Sequence, residues 1–423
     1  MSKLKTAPYG WKLTTLGTFM EFKNGVNADK NAYGSGTEFV NVMDIFKRNF
    51  MKKSNILGKV EITEKQKTEY SVEYGDILFN RTSEVPDEIA FSSVYLDEAK
   101  ITFGGFVIRG RQKKELLDPL FAGYCFNNSS IRREMIRRSQ GVVRANIGQK
   151  DLNKVPILIP PKGEQKKIAS ALALWDNAIE KTEALIAAME KQFEWLCQTY
   201  FKPGNSTNSG WEKHKIATFV TVRNEREVPS EEAPLYSLTI ENGVTAKTDR
   251  YNRDFLVIDK GGKKYKVVHP KDIVFNPANL RWGAIARSEV EHKVVLSPIY
   301  EVLKVDENKI DSDFLTYALT CSRQIAIFAT MVEGTLVERM AVKIDTFLSC
   351  HIHVPSSKEE QKNIAHVLNL SKQEISLLKK TLEQYRSQKR GLMQKLLTGE
   401  WQVGSSQHLS EETCQELSRE GVA

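Results

Sequence analysis

No run of about twenty apolar residues occurs anywhere in this 423-residue chain, so a helix spanning a bilayer is not expected. The opening stretch MSKLKTAPYGWKL also lacks the apolar segment of a signal peptide, and a cytoplasmic location is the expectation. Cysteine is scarce. The five (Cys125, Cys197, Cys321, Cys350, Cys414) are scattered and form no C-x-x-C pair, which argues against a disulfide framework and a thiolate zinc site. Neither G-x-G-x-x-G nor G-x-x-x-x-G-K-[ST] is present, so nothing supports a glycine cradle for a nucleotide. The tetrapeptide of adenine methyltransferases, Asn or Asp followed by Pro-Pro and an aromatic, is missing too. The nearest string, NPAN from Asn276, has one proline and no aromatic. His351 and His353 alternate with Ile352 and share a face if they lie on a strand, but no third ligand stands near them in sequence.

What is present is a globular composition, 41% hydrophobic, with a net charge of +8 and a pI near 9.0. That balance favours a polyanionic partner without identifying one. The stronger signal is internal repetition. GEQKKIASAL (Gly163 to Leu172) returns as EEQKNIAHVL (Glu359 to Leu368). GWKLTTLGTF from Gly10 returns as GWEKHKIATF from Gly210, and GDILFN from Gly75 as KDIVFN from Lys271, the last pair being an acidic turn position leading a short buried strand. A softer pair, LDPLFAGYCF from Leu117 and IDSDFLTYAL from Ile310, keeps the same order. The period is nearly half the chain, which rules out the short units of a solenoid.

Each EQK motif opens a helix with a heptad-like apolar seam. On the first helix the seam is Ile168, Leu172, Trp175, Ile179, Ile186, Met189, Phe193 and Leu196; on the second it is Ile364, Leu368, Ile375, Leu378, Leu382, Tyr385, Leu392 and Leu396, interrupted by Ser371 and Lys389. A further apolar set lies beside each seam: Leu174, Leu185 and Trp195 on one helix, Leu370, Leu377, Met393 and Leu397 on the other. These either pack on the attached domains or receive partner helices. Alternating β-like and helical stretches predict α+β domains: residues 1–155, then a helix over 156–203, a second domain over 204–354, a second helix over 355–401, and a polar tail over 402–423. The segment PGNSTNSG (Pro203 to Gly210) reads as a connector. The two helices are expected to pair as an antiparallel coiled coil, giving a pseudo-two-fold internal repeat.

Candidate nucleic-acid contacts cluster at matched places in the two halves. Arg137 and Arg138 end a basic helical stretch, and Arg144, Asn146 and Gln149 follow it, side chains suited to base edges. The corresponding loop of the second half offers Arg339 instead. Asn80, Arg81 and Thr82 stand against Asn276, Asn279, Arg281 and Trp282. Lys47, Arg48, Lys52 and Lys53 suit phosphates, which position a protein without reading sequence.

The doubled PPKGEQKKIA and PSSKEEQKNIA openings, the long helices after them and the ending QKRGLMQKLLTGEW resemble the specificity subunits of type I restriction-modification enzymes, over nearly the whole chain up to Trp401. The resemblance implies two target recognition domains, each reading one half of a bipartite sequence in double-stranded DNA, with the helices setting the spacing and docking two methyltransferase subunits. Two motor-nuclease subunits would join them in the full complex. It also implies a chain that binds no cofactor and is not itself an enzyme. S-adenosylmethionine would serve the methyltransferase partners, and ATP with Mg the cleaving ones. The rival readings are a stand-alone DNA methyltransferase or nuclease, and a coiled-coil scaffold without DNA specificity.

Overall fold

The computed structural model describes residues 7–46, 48–141, 144–202, 210–246, 262–334 and 340–403. Lys47, Arg339, most of the connector and nearly all of the tail lie outside them. The chain forms two compact units: residues 1–181 with 381–423, and residues 182–380. Each unit therefore owns one α+β domain and half of each long helix, so the division falls inside the two helices, Lys162–Tyr200 and Lys358–Leu396, and not at their ends.

In the first unit a five-stranded sheet runs in the order Met20–Asn24, Val107–Gln112, Ile77–Asn80, Ser92–Tyr95, Phe50–Met51. GDILFN supplies its central strand, and all four residues from Ile77 to Asn80 are buried, as a strand covered on both faces requires. Gly75 turns the chain into that strand at φ +85°, a left-handed position where a side chain is strained. Asp76 then accepts from Arg111 Nε at 2.8 Å and from the Glu73 N–H at 2.8 Å. In the second unit KDIVFN does the same: Lys271 takes φ +67°, Asp272 accepts from Arg223 Nε at 2.7 Å and the His269 N–H at 2.9 Å, and Ile273–Phe275 is the buried strand. It lies in a four-stranded sheet, Val220–Val222, Glu301–Val305, Ile273–Phe275, Ile285–Arg287.

The repeated EQK motif acts as a clamp between each domain and its helix. Glu164 accepts the Trp11 indole N–H at 3.0 Å, and Glu360 that of Trp211 at 2.9 Å. Gln165, fully buried, accepts the Asp118 N–H at 2.7 Å and donates to Pro160 O at 2.8 Å; Gln361 accepts from Asp311 N–H at 2.8 Å and donates to Pro355 O at 2.9 Å. Asp118 and Asp311 in turn cap the helices Pro119–Phe126 and Ser312–Thr320 through their carboxylates. A glutamine suits this place because it carries a donor and an acceptor without charge. Beside each clamp an antiparallel strand pair closes the domain: Lys12–Thr15 with Pro156–Ile159, and Trp211–Lys215 with His351–Pro355.

Every residue of the two seams is buried or half-buried. Within the first unit Ile168 and Leu172 join a core with Leu396 and Leu397, the Trp175 and Tyr385 rings meet at 5.7 Å, and Asp176 is paired with Lys389. Asp176 also accepts from the Tyr124 hydroxyl at 2.6 Å, so the lysine that interrupts the seam has an anionic partner inside it. Within the second unit Cys197 and Phe201 share a core with Ile364 and Leu368. In each unit the early part of one helix meets the late part of the other. Met393 and Leu397 of the flanking apolar set pack into the first core, whereas Leu174, Leu185, Trp195, Leu370 and Leu377 are exposed. The four described cysteines are free and buried, and burial raises the thiols of Cys125 and Cys197 to about 12.

Candidate nucleic-acid interface

In the first unit a loop group forms where the central strand ends. Thr82–Ser83 pairs antiparallel with Ala145–Asn146, setting Thr82 opposite Asn146. Thr82 Oγ1 donates to Asn146 Oδ1 at 2.6 Å, and Asn146 Nδ2 donates to Arg144 O at 3.1 Å. Arg81 is held at the same edge by its guanidinium on Gly105 O at 3.2 Å. Arg144 reaches Glu84 Oε1 with both Nε and a terminal nitrogen, at 3.1 and 2.7 Å, on side chains 62% and 71% exposed. So exposed a pair contributes at most about 1 kcal/mol, which leaves the Arg144 fork exchangeable for a guanine edge.

Other residues suggested by the sequence are placed differently. Asn80 is buried and donates to Glu88 O at 3.2 Å while accepting the Thr82 N–H at 3.2 Å. Gln149 opens the helix Gln149–Asn153 with its amide fitted to the strand backbone at Phe22 O, 3.1 Å, and Asn24 N, 3.2 Å. Arg137 and Arg138 both reach the carboxylate of the buried Glu134. Their neighbour Arg132 turns inward, its guanidinium 3.9 Å from the Phe91 ring centroid, and burial lowers it to about 10. Arg48, Lys52 and Lys53 are exposed, and Lys53 pairs with Glu38 at 3.3 Å.

The second unit builds its loop from Asn276 to Gly283. Asn276 Oδ1 accepts the Ala278 N–H at 3.1 Å, and the carbonyl of Asn279 accepts from Trp282 at 3.0 Å and Ala284 at 3.2 Å. Leu280–Trp282 is a single 3-10 turn ended by Gly283 at φ +89°. The Arg281 guanidinium lies 4.1 Å from the centroid of the Trp282 ring and donates to Met340 Sδ at 3.5 Å. Trp282 is 59% exposed, a flat apolar plate beside a cation.

Two neighbours of these loops were not legible from sequence. Glu84 is the partner of Arg144, and Phe106, 66% exposed, accepts the Arg81 N–H on its carbonyl at 2.9 Å. An exposed aromatic has the same one-letter signature as a buried one, so position alone reveals it. Among the described residues no group of three or more His, Cys, Asp or Glu is placed to hold a metal ion, and no helix is long and apolar enough to cross a membrane.

Residues 8–191 match the family model described as the type I restriction modification DNA specificity domain. A Methanocaldococcus jannaschii chain provisionally named as the type I restriction enzyme MjaX specificity subunit is 25% identical, the match covering 94% of this chain and 95% of that one. The MjaVIII specificity subunit of the same organism is 22% identical, with 94% of both chains covered. Among solved structures, the S subunit of the type I restriction-modification system from M. genitalium aligns with a TM-score of 0.55 at 16% identity, covering 94% of this chain and 98% of its own. The HsdS subunit of Thermoanaerobacter tengcongensis gives 0.52 at 14%, with 94% and 99% covered. At these identities the two structures speak for the fold.

Proposed function

We propose, starting from a chain that belongs to the type I restriction-modification specificity subunits, that each unit reads one half of a split DNA target and directs the partner subunits to it. The family implies a DNA target and association with methyltransferase (M) and motor-nuclease (R) subunits, and its specificity subunits are generally non-catalytic. The finer reading is that this chain docks two M and two R subunits, holds no cofactor, and works in the cytoplasm. S-adenosylmethionine, ATP and Mg would belong to the partners.

The observation that carries this reading is one scaffold with two loop chemistries. The Trp–Glu and Gln clamps, the helix-capping aspartates and the Asp–Arg pair at the turn into the central strand recur in both units. Where that strand ends, one unit carries Arg81, Thr82, Arg144 and Asn146 and the other Arg281 and Trp282 with Met340. Matched frames with different polar tips are what two different half-sites require, since base edges are told apart by donor and acceptor pattern.

The test is a single-molecule methylation map of host DNA with and without the gene, in a cell that supplies the M subunit. A split motif that vanishes with the gene supports the targeting role. Arg144→Ala is expected to relax one half-site and spare the other; a uniform loss across unrelated DNA would make Arg144 a phosphate contact. Purified chain that transfers label from S-adenosylmethionine without partners would instead favour a self-sufficient enzyme.

A further inference from the structure

The closing strand pair of the second unit concentrates positive charge on one face. Lys213 stands opposite His353 and Lys215 opposite His351 in the antiparallel register, and the two-residue period puts all four on the same side. The other side carries Ile352 and Val354 into the core. The lysines are cationic, and a histidine opposite them adds an unfavourable like charge only when protonated. This face borders a cavity of about 300 Å³, lined by Lys202, Lys213, Arg323, His351 and His353 over an apolar wall that includes Phe201 and Trp211. Among the described residues no carboxylate lines it. Its burial, and the field of Arg323, Lys213 and His351, push the His353 imidazole below its ordinary range.

The first unit supplies an internal control. The same corner is present there, between the closing strands, the start of the helix Ser129–Arg138 and the end of a long helix, but its cavity is about 20 Å³ and is lined by Ser130, Ile131, Glu134, Pro156, Leu158, Leu397 and Thr398. By the repeat, Leu158 takes the place of His353, Pro156 that of His351, Ser130 that of Arg323, and Leu13 that of Lys213. The corner can therefore be built nearly closed and without a lining cation. Cationic walls and an open volume are particular to the second unit and are not demanded by the fold.

We propose that this cavity is an anion site that takes a phosphoryl group, held by Lys213, Arg323 and the two histidines. Guanidinium and ammonium groups converging without a carboxylate suit a phosphate's several acceptor oxygens, and the volume lies at the lower end of small-ligand sites. The site stands apart from the loops around Trp282 and does not depend on how those loops read bases. Its phosphate comes either from a free phosphorylated molecule or from a DNA backbone passing the closing strands.

The experiment uses the full-length chain, titrated calorimetrically with inorganic phosphate, and a duplex DNA whose binding is followed against salt. The variant Lys213→Leu with Arg323→Ser installs the residues of the first unit; Lys215→Leu, on the same face outside the cavity, is the control, and Lys213→Arg tests rescue. If the site takes a free anion, the double variant loses at least tenfold in phosphate affinity, the control and rescue variants retain it, and DNA binding is unmoved. If the source is DNA, phosphate competes with the duplex and the double variant lowers the salt slope by about one for each lost contact. Phosphate affinity and salt slope both equal to wild type in a folded double variant, or a loss matched by Lys215→Leu, would overturn the assignment. Should the double variant not fold, Lys213→Met alone is read by the same two measurements.

Discussion

Gln165 and Gln361 show how one side chain ties a domain to a helix. Each is buried and satisfies a helix-capping aspartate's N–H and a proline carbonyl. Truncation leaves those backbone groups unpaired, at about 2–3 kcal/mol for each site. Hydrogen exchange resolved by peptide is the appropriate readout, because a two-unit chain need not unfold in one step. Gln165→Ala is expected to speed exchange in Pro119–Phe126 and Gln361→Ala in Ser312–Thr320, each sparing the other unit; equal loosening of both helices by either change would refute a local clamp. Gly75 is a second residue with a definite cost. At φ +85° with nothing closer than Pro119 Cγ at 3.5 Å to an added Cβ, Gly75→Ala is expected to lose about 1 kcal/mol from backbone strain alone. A urea midpoint unchanged from wild type would contradict that.

At the scale of the element, the helices place polar groups inside an apolar seam. Lys389 pairs with Asp176, and Tyr124 donates to the same carboxylate. The lysine side chain is mostly buried and the aspartate is partly open, so losing the cation leaves an anion that water can still reach. Lys389→Leu is expected to destabilise the first unit, and Lys389→Leu with Asp176→Leu to recover most of the loss, since a well-packed apolar pair can replace an ion pair. A double-mutant cycle with coupling below about 0.5 kcal/mol would show that the two charges are independent. The exposed Leu174, Leu185, Trp195, Leu370 and Leu377 belong to these same helices, which fits the reading that M subunits dock there.

At the scale of the whole molecule, each long helix is continuous and contributes to both units. A four-residue insertion after Ala187 lengthens such a helix by about 6 Å at ~1.5 Å per residue. In the proposed function this is expected to lengthen the gap between half-sites by roughly two base pairs, given about 34 Å per ten-base-pair turn, while both half-sites stay the same. The methylation map checks it directly, and an unaltered gap would count against the helices as a spacer.

The sequence by itself determined the duplication, the seams, the buried strands after Gly75 and Lys271 and, through the doubled EQK, the family resemblance. Those features repeat in order or in period, and backbone geometry turns periodicity into faces. Tertiary structure alone decided which polar residues are spoken for. Asn80, Gln149, Arg137 and Arg138 resemble Arg144 and Asn146 as letters, yet Asn80 and Gln149 are bonded to backbone and both arginines lean on Glu134. Arg144 instead meets an exposed Glu84. Likewise Lys213 and His353 are distant in sequence and meet through strand register, and Arg323, on the helix Ser322–Thr330, lines the same cavity. A hydrogen-bond partner is fixed by proximity in space, and one chain read in order holds no record of which distant atom will arrive.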